Sequence, residues 1–168
     1  MPHLNLQAFF PQYRVRKLCG DDLAELYRFC QTNPQYYAAC GEALTMTHLM
    51  QDLTTLPPGK TLQDKYYVGI YDGAATVAVL DLIDGYPQPE TAFLGFFMVN
   101  GNCAGQGLGT KLIETLCQAL NAAGFTTVRL GYVKDNVQAA HFWTKNQFVP
   151  LREIPRQGPP LILAERRL

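Results

Sequence analysis

The sequence has no surplus of charge of either sign, because 14 basic and 14 acidic side chains balance over 168 residues. Charged residues make up only 17% of the chain, whereas about 25% is usual in soluble domains. Binding to DNA or RNA depends on a surplus of Lys and Arg, so the balance argues against nucleic acid as the main partner. The low charge leaves self-association open, and both a monomer and a homodimer are compatible with it.

The sequence also lacks a long hydrophobic run. The longest one, Ala92 to Val99, is interrupted by Gly95 and is far shorter than the roughly 20 residues that span a bilayer. The N-terminus has no basic segment followed by an apolar stretch, so neither a membrane segment nor a signal peptide is predicted. We therefore expect no membrane partner and a cytoplasmic location.

Clustered metal ligands and paired cysteines are missing as well. The five cysteines include no C-x-x-C pair, and the three histidines are scattered along the chain. This pattern argues against a disulfide framework and against a metal site. The hydrophobic fraction of 48% nevertheless excludes intrinsic disorder, because it is enough to build a core.

The alternation of apolar and turn-forming residues predicts one α/β (α+β) domain over residues 1–168, with a mixed sheet. Strands joined by short turns near the middle of the chain predict an antiparallel meander, and a strand–helix–strand pattern follows it. The predicted strands span residues 13–18, 66–71, 74–83, 91–99, 126–132, 148–154 and 160–165. The predicted helices span residues 22–33, 43–56, 108–123 and a segment that begins at Asn136.

The Gly-rich loop at residues 104–110 is the segment that points to a ligand. It reads Ala-Gly-Gln-Gly-Leu-Gly-Thr, between an apolar strand and a long amphipathic helix. Glycines let backbone N–H groups converge on one point, and a helix N-terminus adds unpaired donors and partial positive charge, which together suit a phosphate group. A tight strand-to-helix turn with glycines for packing is the alternative. The spacing excludes both a Walker P-loop and a Rossmann fingerprint.

Two segments together resemble the GNAT superfamily of acetyl-CoA-dependent N-acetyltransferases. The family's loop, Gln/Arg-x-x-Gly-x-Gly/Ala, falls on residues 104–109. Its second motif, Asn-x-x-Ala-x-x-Phe/Leu-Tyr-x-Lys-x-Gly-Phe, falls on residues 136–148. The order of the predicted elements matches as well. The resemblance implies a GNAT-like, mainly antiparallel central sheet that splays after its fourth strand and is flanked by helices on both faces. It also implies acetyl-CoA as the cofactor.

The sequence departs from the family pattern at three positions. Ala104 replaces the usual Arg or Gln of the loop, so one side-chain contact to the pyrophosphate is expected to be absent. Gln147 replaces a glycine and Trp143 replaces a tyrosine. Because an indole N–H cannot act as an acid near neutral pH, Trp143 either stabilises the leaving sulfur as a hydrogen-bond donor or packs in the core. Tyr132 or another group would then protonate the thiolate, or the thiolate would leave unassisted.

The resemblance assigns further residues to the cofactor. Backbone atoms at the end of the fourth strand would pair with the pantetheine arm, and residues of the last helix would border that arm. A plain N-cap role for Asn136 is compatible with this. The residues implied to contact the cofactor are Phe97, Met98, Val99, Ala104, Gly105, Gln106, Gly107, Gly109, Thr110, Asn136, Phe142 and Lys145.

The chemistry also needs a donor to the thioester oxygen and a base for the amine. A backbone N–H near Met98 is the expected oxyanion donor. Asp81 is the preferred base, because it lies within an apolar strand where burial would raise the pKa of its carboxyl. A strand-end or solvent-facing carboxylate at Asp81 is the alternative. Asp84, Glu90 and His48 are the other candidate bases.

The acceptor is expected between the first helices and the loop before the fourth strand, at residues 33–37, Glu42 and 84–87. Few acidic side chains lie there. Tyr36 and Tyr37 could hold a small amine by cation–π contact, and ordinary loop packing of these side chains is the alternative. The sequence therefore predicts acetyl transfer to the primary amine of a small molecule by direct attack. The alternatives are a peptide or protein N-acetyltransferase and a catalytically silent CoA-binding module.

Overall fold

The computed structural model describes residues 3–168. Its strands are β1 (Arg14–Lys17), β2 (Lys65–Asp72), β3 (Ala75–Ile83), β4 (Thr91–Val99), β5 (Thr127–Val133), β6 (Val149–Arg156) and β7 (Gly158–Arg167). Its helices are α1 (Leu6–Phe9), α2 (Leu23–Cys30), α3 (Pro34–Cys40), α4 (Met46–Asp52), α5 (Leu108–Ala122) and α6 (Val137–Lys145). Within the described residues, no helix is long and apolar enough to cross a membrane.

All seven strands form one sheet in the order β1-β2-β3-β4-β5-β7-β6. Every neighbouring pair is antiparallel except β4 and β5, which are parallel. The predicted meander is therefore confirmed, since β2, β3 and β4 are consecutive neighbours. The parallel pair arises from the β4–α5–β5 crossover that the strand–helix–strand pattern indicated. The prediction of a mixed, mainly antiparallel sheet is confirmed.

Helices cover both faces of the sheet. Helices α1, α5 and α6 pack on one face, where Leu112, Leu116 and Leu120 of α5 are buried against the strands. Helices α2 and α4 pack on the other face, through residues such as Phe29 and Leu49. The apolar positions of α5 recur every three or four residues, so one side of that helix faces the sheet along its whole length.

The structure contains two short helices, α1 and α3, that the sequence analysis does not predict. Only two helices are predicted between the first and second strands, where the structure has three, α2, α3 and α4. Pro34, predicted to stop the preceding helix, is instead the first residue of α3, a position where proline is tolerated because its missing N–H has no intrahelical partner. Gly41 ends α3 in a left-handed conformation with φ of 70°.

The sheet splays open between β4 and β5. Their pairing covers only Thr91–Leu94 with Thr127–Leu130, and no pairing follows beyond these residues. The register between β3 and β4 changes at the same level, from Asp81 opposite Phe96 to Leu82 opposite Leu94, so Gly95 is the extra residue of a β-bulge. The bulge bends β4 away from β5, and the predicted splay after the fourth strand is confirmed.

Candidate active site

Backbone groups of β4 face the cleft that the splay creates. The Asn100 N–H donates to the Val77 carbonyl at 2.9 Å, so the backbone groups of Asn100 point toward β3. In an antiparallel ladder, every second residue points its N–H and C=O groups toward the same neighbouring strand. Met98 therefore also points its backbone groups toward β3, whereas Phe97 and Val99 point theirs away from it. The Val99 carbonyl accepts a hydrogen bond from Asn33 Nδ2 at 2.9 Å. The N–H groups that point into the cleft are thus those of the two neighbours of Met98.

The Gly-rich loop ends at the N-terminus of α5 and presents a row of free N–H groups. Gly105 and Gly107 have φ of 78° and 73°, a region that disfavours any residue with a Cβ. Gly107 occupies the N-cap position and supplies no side-chain cap. Among the hydrogen bonds of residues 3–168, none uses the N–H groups of residues 105–110. The first turn of α5 therefore keeps its donors available for an anion.

The surroundings of the loop fit a pyrophosphate group. A Cβ added at Gly105 or Gly107 would meet no atom within 4 Å, so the space in front of the backbone is open. Gly109 is different, since a Cβ there would lie 3.1 Å from Phe142 Cε2, and this glycine lets α5 approach α6 closely. Thr110 Oγ1 accepts a hydrogen bond from Asn146 Nδ2 at 3.3 Å. The predicted cofactor residue Lys145 precedes Asn146 and is exposed.

Helix α6 begins with the asparagine of the second motif. The Asn136 side chain is buried, and its Oδ1 accepts a hydrogen bond from the Ala139 N–H at 3.0 Å. The plain N-cap role is therefore present, as the sequence allowed. Asn136 and Ala139 also line the cleft between β4 and β5, so the cap and the cleft wall are formed by the same turn. Gln147 replaces the glycine of the motif and adopts its positive φ, at 71°.

Trp143 is part of an aromatic cluster on the face covered by α6. It is 8% exposed. Its ring lies 4.8 Å from Phe142, 5.1 Å from Phe148 and 6.1 Å from Phe97, in edge-on arrangements. Its packing supports the core role that the sequence left open, and one side of the ring still lines the cleft.

Two cavities meet in the cleft. The smaller one, of about 60 Å³, lies between the separated ends of β4 and β5 and beside α6. The larger one, of about 250 Å³, lies under α3, α4 and the loop between them. Seven residues line both cavities and mark their junction: Tyr36, Cys40, Gly95, Phe96, Gly131, Tyr132 and Val133.

Ionisable side chains surround the junction and the larger cavity. Burial raises the pKa of Tyr132 and Tyr36 above their ordinary values. Burial also raises the pKa of the Cys40 thiol, against the opposing effect of hydrogen bonding to Tyr36 and Asn136. Partial burial raises the pKa of the Asp52 carboxyl, although the positive charge of Lys65 opposes this shift. The junction therefore holds neutral proton donors, and Asp52 adds a carboxyl with a raised pKa to the larger cavity.

Asp81 lies directly beneath the bulge of β4 and is only 8% exposed, so the solvent-facing alternative is wrong. Lys65 Nζ, itself 3% exposed, lies 2.8 Å from Asp81 Oδ2, and no described residue is a partner for Oδ1. Burial raises the pKa of the Asp81 carboxyl and outweighs the opposing charge of Lys65. Asp81 lines neither cavity. Gly95 lines both cavities and lies between them and the Asp81 carboxyl.

Several residues of the larger cavity are not identified by the sequence. Cys40 reads as an ordinary small core residue, and no motif singles out Asp52 or Arg156, yet all three line this cavity. His48, the more remote of the candidate bases, lines it too. The sequence signals for α3 were Pro34 at its first position and Gly41 just after its last residue. Recognising α3 would also have placed Cys40 at the end of that helix.

The predicted contribution of the loop at residues 84–87 to the acceptor site is not found in the structure. This loop lines neither cavity. Tyr86 packs instead on Phe93, with ring centroids 5.6 Å apart. In the described part of the chain, no group of three His, Cys, Asp or Glu side chains could hold a metal ion.

The close approach of Gly95 to Asp81 leads to a prediction for Gly95→Ala. The new Cβ would lie 2.7 Å from Asp81 Oδ2, so the carboxylate would have to move away from Lys65. We expect the free energy of unfolding to fall by about 1–3 kcal/mol, measured by urea denaturation. Gly131→Ala is the matched control, because its Cβ would meet no atom closer than 3.8 Å. Equal stability of the two variants would contradict this placement of Asp81.

Comparisons with known proteins agree with this geometry. The model of the acetyltransferase (GNAT) family matches residues 21–148. An acetyltransferase from Thermus thermophilus is similar in structure, with a TM-score of 0.74 and 25% identity over 94% of this chain and 97% of that one. None of the curated protein sequences compared with the chain matches it significantly.

Two more distant structures share the fold. The aminoglycoside acetyltransferase AAC(6')-Ib in complex with coenzyme A has a TM-score of 0.68 and 16% identity, over 92% of this chain and 94% of that one. The ribosomal-protein-S18-alanine N-acetyltransferase from Escherichia coli has a TM-score of 0.64 and 16% identity, over 92% and 93%. With the family model matched over most of its length, the chain belongs to the acetyltransferase (GNAT) family and is an acyltransferase.

Proposed function

We propose that this protein transfers the acetyl group of acetyl-CoA to the primary amine of a small molecule, which attacks the thioester directly. The observation that carries the proposal is the junction of the two cavities in the β4–β5 cleft. The smaller cavity leads to the free backbone of β4, and the larger one opens under α3 and α4. Two reactants can therefore approach one point from opposite sides.

Residues of this chain fit the cofactor along its length. The free N–H groups of residues 105–110 and the N-terminus of α5 would hold the pyrophosphate. Backbone groups of Phe97 and Val99 would hold the pantetheine arm as an added strand, with Asn136 and Phe142 beside it. Acetyl-CoA, when bound, supplies the acetyl group as a thioester. Of the two cleft-facing N–H groups next to Met98, we assign the one nearer the thioester to its oxygen and the other to the arm.

We assign the base role to Asp81, acting through a water molecule. Its raised pKa makes it a better proton acceptor than an exposed carboxylate, and no described residue is a hydrogen-bond partner for its buried Oδ1. Asp52 is the second candidate, because it lines the larger cavity itself. Tyr132 lines the junction and is the donor we assign to the leaving sulfur in place of Trp143.

Purified protein should release CoA from acetyl-CoA in the presence of primary amines. Its initial-rate kinetics should indicate a ternary complex of enzyme, acetyl-CoA and amine. We expect Asp81→Asn to lower kcat by about 100-fold or more, in the range typical of a lost general base, while leaving CoA affinity nearly unchanged. Asp52→Asn tests the second candidate in the same assay. If Asp81→Asn keeps the wild-type kcat and pH profile, Asp81 is not the base. If CoA binds but no amine in a broad panel is acetylated, the proposed function fails.

The buried Trp143 favours a second candidate function, a CoA-binding module without catalysis. The two functions are separated by Trp143→Tyr, which restores the family's residue. In a silent module the substitution would create or strongly raise CoA release. In an active enzyme that relies on Tyr132, Trp143→Tyr should leave the rate nearly unchanged and Tyr132→Phe should lower it.

We further propose that residues 1–168 form a single domain. The family match ends at residue 148, but β6 and β7 lie beyond it and continue the sheet, since β7 pairs with β5. The cytoplasmic location and the monomeric or homodimeric state stay predictions.

A further inference from the structure

The larger cavity is bounded on one side by a contact between two segments that are far apart in the sequence. Arg156 Nη1 at the end of β6 lies 3.7 Å from Glu42 Oε1, in the loop between α3 and α4. The adjacent Gly41 packs near the β6–β7 turn, where a Cβ added to it would lie 3.9 Å from Pro159 Cγ. We call the four residues Gly41, Glu42, Arg156 and Pro159 the rim bridge.

The rim bridge is held by the hairpin as well as by the ion pair. Arg156 Nε donates a hydrogen bond to the Pro159 carbonyl at 2.7 Å, which orients the guanidinium toward the loop after α3. Glu42 and Arg156 both line the larger cavity. Their contact therefore crosses the edge of the cavity and joins the helical side to the hairpin side.

The interior behind the rim bridge suits a compact cation. Its walls include the aromatic rings of Tyr36, Tyr37 and Phe96, which attract cations on their faces. Asp52 adds a carboxyl to the same cavity. The charge of Arg156 is compensated by Glu42, so the interior carries no free positive charge from the bridge.

We propose that the rim bridge makes this enzyme selective for compact cationic amines over the amino termini of peptides. This inference rests on the proposed acetyl transfer and names its substrate class. A peptide whose amino group reaches the junction must extend out of the cavity by about 3.3 Å per residue. On the bridged side it would have to displace the contact between Glu42 and Arg156. A small amine fits behind the closed bridge.

The test compares two acceptors with the same amino-terminal group, phenylalanine amide and the tetrapeptide amide Phe-Ala-Ala-Ala. The measured quantity is the ratio of kcat/KM for the peptide to that for the amide, since any general change in charge or stability cancels. In Arg156→Glu the two carboxylates repel each other and open the bridge. We expect the ratio to rise about three- to tenfold at low salt, and less at high salt, as suits an exposed charge pair.

Two further variants control the test. The charge swap Glu42→Arg with Arg156→Glu restores the pair and should return the ratio to within about twofold of the original, because the two charges are then coupled again. Lys134→Gln breaks another exposed ion pair, in which Lys134 Nζ, just after β5, lies 2.9 Å from Glu153 Oε2 on β6; neither residue lines the cavities. This variant should leave the ratio unchanged.

Calorimetric binding of both acceptors in the presence of CoA provides a readout that needs no turnover. In one outcome, neither acceptor is acetylated while the ratio of binding constants still rises in Arg156→Glu and returns in the charge swap. In that case the proposed function fails, but the role of the rim bridge in selecting the ligand is supported. If Arg156→Glu leaves both ratios unchanged, the inference is overturned whether or not acetyl transfer occurs. It is also overturned if the unmodified protein uses or binds the tetrapeptide as well as the amide, or binds neither.

Discussion

Gly107→Val should weaken CoA binding by about 30- to 100-fold, whereas Lys111→Ala should weaken it by less than about threefold. Gly107 has φ of 73° and precedes the free N–H groups at the start of α5. A β-branched residue strains this conformation and turns the donors away from the position of the phosphates. Lys111 is an exposed residue one turn into the helix, so its charge is screened by solvent.

Calorimetric titration with CoA measures the effect, and thermal unfolding shows whether each variant remains folded. Gly59→Val is the matched control, because Gly59 also has a positive φ, 80°, and no atom within 4 Å of an added Cβ, but lies in a loop outside the site. It carries the same strain without touching the Gly-rich loop and should keep the affinity for CoA. A larger loss for Lys111→Ala than for Gly107→Val would show that side-chain charge, not the backbone, holds the phosphates.

Lys65→Met should lower the free energy of unfolding by about 3–5 kcal/mol at neutral pH, because it leaves Asp81 as a buried charge without a partner. Lys65 is 3% exposed and, besides Asp81, its Nζ contacts the Thr55 carbonyl at 2.9 Å. Urea denaturation measures the loss. Adding Asp81→Leu in the same chain removes the orphaned charge and should recover most of it. Lys134→Met, which breaks an exposed pair, should leave the stability nearly unchanged.

The loss in Lys65→Met should depend on pH in a direction that follows from Asp81. Its pKa in the folded protein is already raised by burial, and removing Lys65 raises it further above the unfolded value of about 3.9. The folded state then binds more protons than the unfolded state between the two pKa values, so stability falls as the pH rises through that window. The deficit should therefore be largest at neutral pH and shrink on acidification. A deficit that grows in acid would contradict the assignment.

The absence of net charge is consistent with the site, although the cofactor is an anion. Ala104 lacks the side chain with which the family contacts the pyrophosphate. The donors that remain are backbone N–H groups, which carry no formal charge and therefore do not contribute to the net charge of the chain. An even charge balance is thus compatible with CoA binding by this loop.

The sequence by itself determined the elements whose signals are local. The apolar spacing of α5 and its closing glycine involve residues within a few positions of one another, and the predicted range of 108–123 differs from the observed helix by one residue. Strand β4 was predicted over its full observed range, because a continuous apolar run between turn residues needs no distant partner to be recognised. The Gly-rich loop and the second motif were readable for the same reason, and they led to the family.

Tertiary structure alone decided what surrounds the acceptor. Asp81 was recognisable as a carboxylate in an apolar strand. Its partner Lys65, however, lies on the neighbouring strand β2, and the missing side chain of Gly95 on β4 leaves room for the carboxyl. Glu42 and Arg156 meet only because β6 and β7 add to the sheet beyond β5 and bring their turn back to the loop after α3. Cavity walls are built from side chains that are close in space and distant in the chain. Periodicity and spacing report only on near neighbours, so the packing of the sheet had to be known before this cavity could be described.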